Sequence, residues 1–159
     1  MLPFTFIKKL LSALLLFSAC FFVSGCATEA TADRFTDFTH TEAQYLASLD
    51  NLQWPEGFVL PTTLEGEDKN TLFDATYGDT RASNLWEYAW IQEWLNSYDN
   101  DPARAERALA QLEGAFDMPY MSTARCDNAT RRALRENLDK AQQGDPSGFA
   151  DYLGINSAD

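Results

Sequence analysis

The stretch Trp86-Glu-Tyr-Ala-Trp-Ile-Gln-Glu-Trp-Leu-Asn-Ser-Tyr98 decides the fold, because its spacing of apolar residues predicts a long amphipathic helix with an aromatic face. A helix advances by about 100° per residue, so Trp86, Trp90 and Trp94 fall on one side of it. An aromatic stripe at helical spacing is typical of a core that other helices cover. The segment, which we predict to be helical from about Arg81, therefore indicates an all-α domain.

Glu87 falls in the middle of this apolar arc. A carboxylate among indoles has to be protonated, hydrogen-bonded or paired with a cation. In the interpretation that we favour, the tryptophans form the core, and Glu87 bonds an indole N–H, a tyrosine hydroxyl or an arginine of the last long helix. The candidate arginines are Arg131, Arg132 and Arg135.

The same helix also supports a functional interpretation. If the stripe lines a pocket, Trp86, Trp90 and Trp94 contact a small ligand, and Glu87 is its polar contact, since indole faces stack on sugars and bind cations. The other acidic residue at this end of the helix, Glu93, lies about 120° from Glu87 on the helical wheel. This separation disfavours an enzyme of the two-carboxylate type, which needs both groups at one cleft.

Further helices are predicted on both sides of the aromatic one. Asp101-Pro102 and Asp145-Pro146 each pair a capping residue with a proline at the first helical position, and Gly144 is a typical helix stop. Residues 62–84 are loop-like. We predict additional helices over residues 41–52, 102–116, 127–143 and 149–152. The fold class is therefore a small bundle of about four or five helices, with one long irregular segment after the first helix.

The first 26 residues have the pattern of an export signal. Lys8 and Lys9 precede an uncharged, largely apolar run over residues 10–23, which is too short to span a bilayer as a permanent helix. The small residues Ser24 and Gly25 follow, and then Cys26. This pattern resembles the lipobox of bacterial prolipoproteins.

The resemblance implies a location for the protein. Residues 1–25 would be removed as a signal peptide by cleavage between Gly25 and Cys26. Cys26 would then carry acyl chains such as palmitate, and two or more chains hold a protein stably on a membrane. We expect residues 26–39 to be a flexible tether and residues 40–159 to be a single helical domain. The domain would be anchored to the cell membrane and would face outside the cytoplasm.

Charge and cysteine content exclude several classes of partner and site. All 24 acidic residues follow Cys26, against ten basic ones, so this part has a formal charge of −14. Such a domain is repelled by phosphate backbones, which disfavours nucleic acid as a partner. Only Cys126 would keep a free thiol, and we expect it to be buried and inert. A single histidine, His40, rules out a multi-histidine metal site or a histidine-based triad within one chain.

The aromatic helix carries a second resemblance. The spacing of Trp86, Trp90, Glu93, Trp94 and Leu95, downstream of Tyr77-Gly78, resembles uncharacterised lipoproteins and secreted proteins of actinobacteria. This resemblance implies no activity, cofactor or metal. The sequence contains no recognisable catalytic motif, so we expect a lipid-anchored, non-catalytic interaction module with a protein partner at the cell envelope. The alternative is a small-ligand-binding protein that uses the aromatic helix and Glu87.

Overall fold

The computed structural model describes residues 34–156, and within them helices dominate. The five helices are α1 (Phe38–Asp50), α2 (Tyr77–Ser97), α3 (Pro102–Glu113), α4 (Asn128–Gln142) and α5 (Ser147–Asn156). Short 3₁₀ turns, Gly114–Asp117 and Pro119–Met121, connect α3 to the loop before α4. The predicted all-α bundle is confirmed. The predicted cleavage site and lipidated cysteine, Gly25 and Cys26, lie outside the described residues.

The folded structure begins earlier than predicted. Strand β1 (Phe35–Thr36) pairs antiparallel with β2 (Phe73–Asp74), and Thr36 lies opposite Phe73. Helix α1 then begins at Phe38 instead of residue 41, because the Asp37 side chain accepts a hydrogen bond from the backbone N–H of His40. Residues 35–39 therefore belong to the fold, where the sequence predicted the end of a tether.

The long aromatic helix α2 is central, and it packs against both α1 and α3. Helix α2 begins at Tyr77, four residues before the predicted start at Arg81. The last third of the predicted irregular segment, residues 62–84, is therefore helical. Helix α2 also contributes to two separate apolar cores. One core joins its tryptophans to α3, α4 and α5. The other lies beneath α1 and includes Phe38, Leu49 and Phe73.

The irregular segment between α1 and α2 is held by side-chain to backbone hydrogen bonds. The indole of Trp54 donates to the carbonyl oxygen of Leu49 at 2.9 Å, and that of Trp90 donates to the carbonyl oxygen of Gln53 at 3.0 Å. The carboxylate of Glu42 accepts a hydrogen bond from the backbone N–H of Leu64. The segment is therefore fixed to both neighbouring helices although it has little regular structure of its own.

The ends of α3 and α4 follow the predicted local chemistry. Asp101 caps α3 and Pro102 is its first residue, whereas Asp127 caps α4 by accepting a hydrogen bond from the backbone N–H of Thr130. Gly144 follows α4 with a φ of 79°, a conformation that glycine adopts at little cost. Helix α5 is longer than the predicted short helix at residues 149–152. These short connections bring α4 and α5 side by side.

Candidate functional site

A cavity of about 270 Å³ lies between α2, α4, α5 and the loop that leads into α4. Helix α2 contributes Thr80, Asn84 and Glu87, which follow one another at i, i+4 and i+7 on a single face. Helix α4 contributes a second face with the same periodicity, formed by Thr130, Ala133, Leu134 and Asn137. The volume is slightly below the range of about 300–1,000 Å³ that is usual for drug-sized ligands, so the cavity suits a smaller molecule.

Glu87 forms the floor of this cavity. Glu87 is only 4% exposed, and the hydroxyl of Tyr120 donates a hydrogen bond to the Oε2 atom of Glu87 at 2.6 Å. The hydroxyl of Tyr152, on α5, also bonds the carboxyl group. Burial raises the pKa of Glu87 above its usual range, and the two tyrosine hydrogen bonds only partly oppose this effect. The neutral form of Glu87 therefore persists to a higher pH than it does for an exposed glutamate.

The partner of Glu87 is thus a tyrosine pair, which was one of the predicted alternatives, and the arginine alternative is wrong. Arg135 lies over the ring of Phe116, with its guanidinium carbon 4.4 Å from the ring centroid, and Arg131 lies 6.0 Å from the same centroid. Arg132 is exposed. Arg131 and Arg135, in the first two turns of α4, face Phe116 in the 3₁₀ turn Gly114–Asp117, and neither lines the cavity.

The three tryptophans do not line the cavity. Trp86, Trp90 and Trp94 are all buried in the core, and Trp94 is 1% exposed. Trp94 stacks on Tyr98 at 4.9 Å between ring centroids and meets the edge of Phe149 at 5.4 Å. Helices α3, α4 and α5 cover the aromatic stripe, so the predicted ligand site of three tryptophans with Glu87 does not form. Of these four residues, only Glu87 lines the cavity.

The mouth of the cavity carries charges of both signs. Arg125 donates to the carboxylate of Asp79 at 2.7 Å and also bonds the hydroxyl of Thr80. The carboxylate of Asp127 lines the mouth, and a hydrogen bond from the backbone N–H of Thr130 lowers its pKa. Since Arg125 is matched by Asp79, Asp127 leaves the lining with a negative charge, and Glu87 adds a second one when it is ionised.

Cys126 also faces the cavity and is only partly buried, in contrast to the predicted burial. Its Sγ atom lies 3.6 Å from the Sδ atom of Met121. Burial and the neighbouring Asp127 raise the pKa of the thiol. A thiol with a raised pKa is a weak nucleophile at neutral pH, so the position suits a wall of the cavity better than a catalytic centre.

Comparison with known proteins adds no assignment. No protein-family model, curated protein or solved structure matches this chain.

Other candidate residues lie away from this cavity. Glu93 makes a two-point ion pair with Arg104, with N–O distances of 2.8 and 2.7 Å, and so does not share a cleft with Glu87. His40 lies in the first turn of α1, where its Nδ1 atom is 2.7 Å from the carboxylate of Asp37. Between residues 34 and 156, no three His, Cys, Asp or Glu side chains are grouped closely enough to hold a metal ion. No helix in the same range has the length and apolar character that a membrane span requires.

Two larger hollows are less suited to a ligand. One, of about 540 Å³, lies beside β1, and all of its lining side chains are exposed or half-buried. The other, of about 510 Å³, lies between α3 and the ends of α2 and α4. Trp94 contributes to its lining, and its charged residues are the exposed Glu106 and Glu113. The Glu87 cavity differs from both because a buried ionisable group forms its floor.

The sequence singles out Glu87 and offers a tyrosine hydroxyl as one of its possible partners, but it does not identify Tyr120 and Tyr152. Tyr120 and Tyr152 come from elements that are far from α2 in sequence, and no local pattern connects them to it. A weak signal was present on α2 itself. Thr80, Asn84 and Glu87 form a polar row at helical spacing, beside a helix face that is otherwise apolar.

Proposed function

We propose that this protein is a small-ligand-binding protein of the cell envelope, anchored through Cys26, whose ligand enters the Glu87 cavity. The observation that carries the proposal is the Glu87 carboxyl group, which is 4% exposed and forms the floor of a 270 Å³ cavity. A buried ionisable group that faces a cleft and has a shifted pKa is a candidate functional residue. The lipobox pattern at residues 23–26 supports the anchor and the location outside the cytoplasm.

The lining favours binding over catalysis. A tyrosine pair holds Glu87, and the pKa values of both tyrosines are raised by burial, so they serve as fixed hydrogen-bond donors. The Cys126 thiol has no histidine beside it, since the only histidine, His40, lies in α1 outside the cavity, and burial raises the pKa of the thiol. A pocket with apolar walls and a few convergent polar groups is the usual form of a ligand-binding site.

A protein-interaction module is the second candidate, and one observation favours it. Phe35 and Leu72 are 57% and 66% exposed, and both line the hollow beside β1. In the antiparallel pairing of β1 with β2, these two residues are diagonal neighbours on one face. Exposed apolar residues in one place are typical of a contact surface. This surface and the Glu87 cavity are separate, so one protein can have both.

A thermal-shift screen of small metabolites tests the proposed function on the purified full-length chain. We expect at least one compound to raise the melting temperature by several degrees, since a ligand at 100 times its Kd stabilises the native state by about 2.7 kcal/mol. The Ala133→Phe variant should weaken this shift, because Ala133 is an exposed residue of the cavity lining and a phenyl group there would obstruct the entrance.

The control is Ala103→Phe, which makes the same change at an exposed position of α3 outside the cavity. It should respond to the compound as the wild type does. A screen without any stabilising compound, or a shift that is undiminished in Ala133→Phe, would count against the cavity as the binding site.

A further inference from the structure

We infer that the ligand of the Glu87 cavity is a small organic cation, with an ammonium group that contacts the Glu87 carboxylate and an apolar body that contacts the cavity walls. This inference rests on the proposed ligand-binding function and adds the chemical class of the ligand. It is carried by the geometry of the carboxylate, by the charges of the lining and by the apolar walls.

The Glu87 carboxylate has acceptor capacity left for a ligand. A carboxylate offers about four lone-pair sites, and the hydroxyls of Tyr120 and Tyr152 use about one each. Because Glu87 lines the cavity, its remaining capacity is available from that side. An ammonium group has only hydrogen-bond donors and a positive charge, so it complements this acceptor. A ligand anion would meet a carboxylate of its own sign.

When Glu87 is ionised, its charge has no cationic partner among the ion pairs of the described residues. Arg125, which lines the mouth, is bound to Asp79, and Asp127 adds a second negative charge there. A buried charge without a partner is costly. An entering cation would supply the opposite charge that the described residues do not provide.

The walls suit an apolar body of limited size. Met121 and Leu134 are buried residues of the cavity lining, and the tyrosine pair adds aromatic surface beside the carboxylate. Aromatic faces attract cations, most strongly where water is excluded. The polar side chains Asn84 and Thr130 are exposed at the mouth, where a ligand would meet solvent. The cavity therefore fits an alkyl- or arylammonium ion that enters with its charge first.

Binding of such a ligand has to depend on pH. Below its pKa, which burial raises, Glu87 is neutral, and a cation has to displace its proton. The affinity for the cation therefore rises with pH until the pH exceeds that pKa, and it is constant above it. Below the pKa, binding releases up to one proton.

Other groups that face the site do not produce the same pH dependence. Tyr120, Tyr152 and Cys126 have pKa values raised by burial, so they stay protonated through neutral pH. Asp127 has a lowered pKa and stays charged. Arg125 is already bound to Asp79, with an N–O distance of 2.7 Å. From α4, the side chains that line the cavity are not ionisable.

Calorimetric titration of the purified full-length chain tests the inference at pH 5, 6, 7 and 8. The probes are two cations with matched neutral alcohols: benzylammonium with benzyl alcohol, and butylammonium with butan-1-ol. We expect at least one cation to bind more tightly than its alcohol, with an affinity that rises with pH. Titrations in two buffers of different ionisation enthalpy should detect the released proton. Glu87→Gln should weaken binding by roughly 30-fold or more and abolish the pH dependence.

Two further measurements keep this test decisive. Melting curves show whether Glu87→Gln is folded, and Tyr120→Phe removes a hydrogen-bond donor while it keeps the carboxylate, so it should still bind the cation in a pH-dependent way. Equal binding of cations and alcohols, or no binding of any cation, overturns the inference about ligand class. The proposed function has its own test. It fails if the thermal-shift screen of metabolites finds no stabilising compound, or if Ala133→Phe does not reduce the stabilisation by any compound that it finds.

Discussion

Replacement of Trp94 by alanine should lower the free energy of unfolding by about 3–5 kcal/mol, the range for removal of a fully buried large aromatic side chain. Trp94 is 1% exposed and contacts both Tyr98 and Phe149, so the change leaves a cavity where α2 meets α5. A domain of ordinary stability has about 5–15 kcal/mol in total, so much of the margin would be lost. Urea unfolding followed by tryptophan fluorescence measures the change.

The matched control is Leu72→Ala, which also truncates a large apolar residue but at a position that is 66% exposed. It should change the free energy of unfolding by less than about 0.5 kcal/mol. If Trp94→Ala were as mild as this control, the tryptophan would not be a core residue, and its role as a ligand contact would have to be considered again.

Gly78→Ala should destabilise the protein by about 3 kcal/mol, at the upper end of the usual effect of overpacking. A methyl group at Gly78 would overlap the carbonyl oxygen of Thr41 and approach the backbone nitrogen of Tyr45, both on α1. Because these atoms belong to the backbone, no rotation of a side chain relieves the overlap. Helices α1 and α2 would have to move apart, and thermal or urea unfolding would record the loss.

Gly114→Ala is the control for this prediction. Gly114 has a φ of −63°, which alanine also adopts, and a methyl group there would meet no atom within 4 Å. The change should be neutral or stabilising by up to about 1 kcal/mol, since alanine restricts the unfolded chain more than glycine does. Equal effects at the two glycines would contradict the close approach of α1 and α2.

Some parts of the fold could be predicted because their causes are local in sequence. The start of α3 follows from Asp101 and Pro102, and the start of α4 follows from Asp127, each through chemistry within four residues. The start of α1 combines a local cause, the Asp37 cap, with a tertiary one, and the start of α2 has a tertiary cause. Phe38 is buried against Phe73, thirty-five positions later, and Gly78 is helical because α1 passes close to it. Neither contact is visible in a local pattern.

In the candidate site, too, one part has a cause that is local in sequence and another part has a tertiary cause. Glu87 stands out in the sequence because a carboxylate among tryptophans needs an explanation. Its partners depend on where the 3₁₀ turn with Tyr120 and the helix with Tyr152 pack on α2, and that packing is set by the whole core. The spacing of the tryptophans was also compatible with a pocket lining, but in the structure three helices cover them. A buried aromatic stripe and a ligand platform have the same spacing in sequence, so periodicity could not separate them.

The central claim, that a ligand occupies the Glu87 cavity, is tested most directly through Cys126, whose thiol faces that cavity. The measurement is the rate of Cys126 alkylation at fixed pH, followed by peptide mass spectrometry, with and without the compound that stabilises the chain most. At ten times its Kd the compound leaves about one site in eleven empty, so we expect the rate to fall roughly tenfold. An unchanged rate at saturation would show that the compound binds elsewhere, and it would contradict the claim.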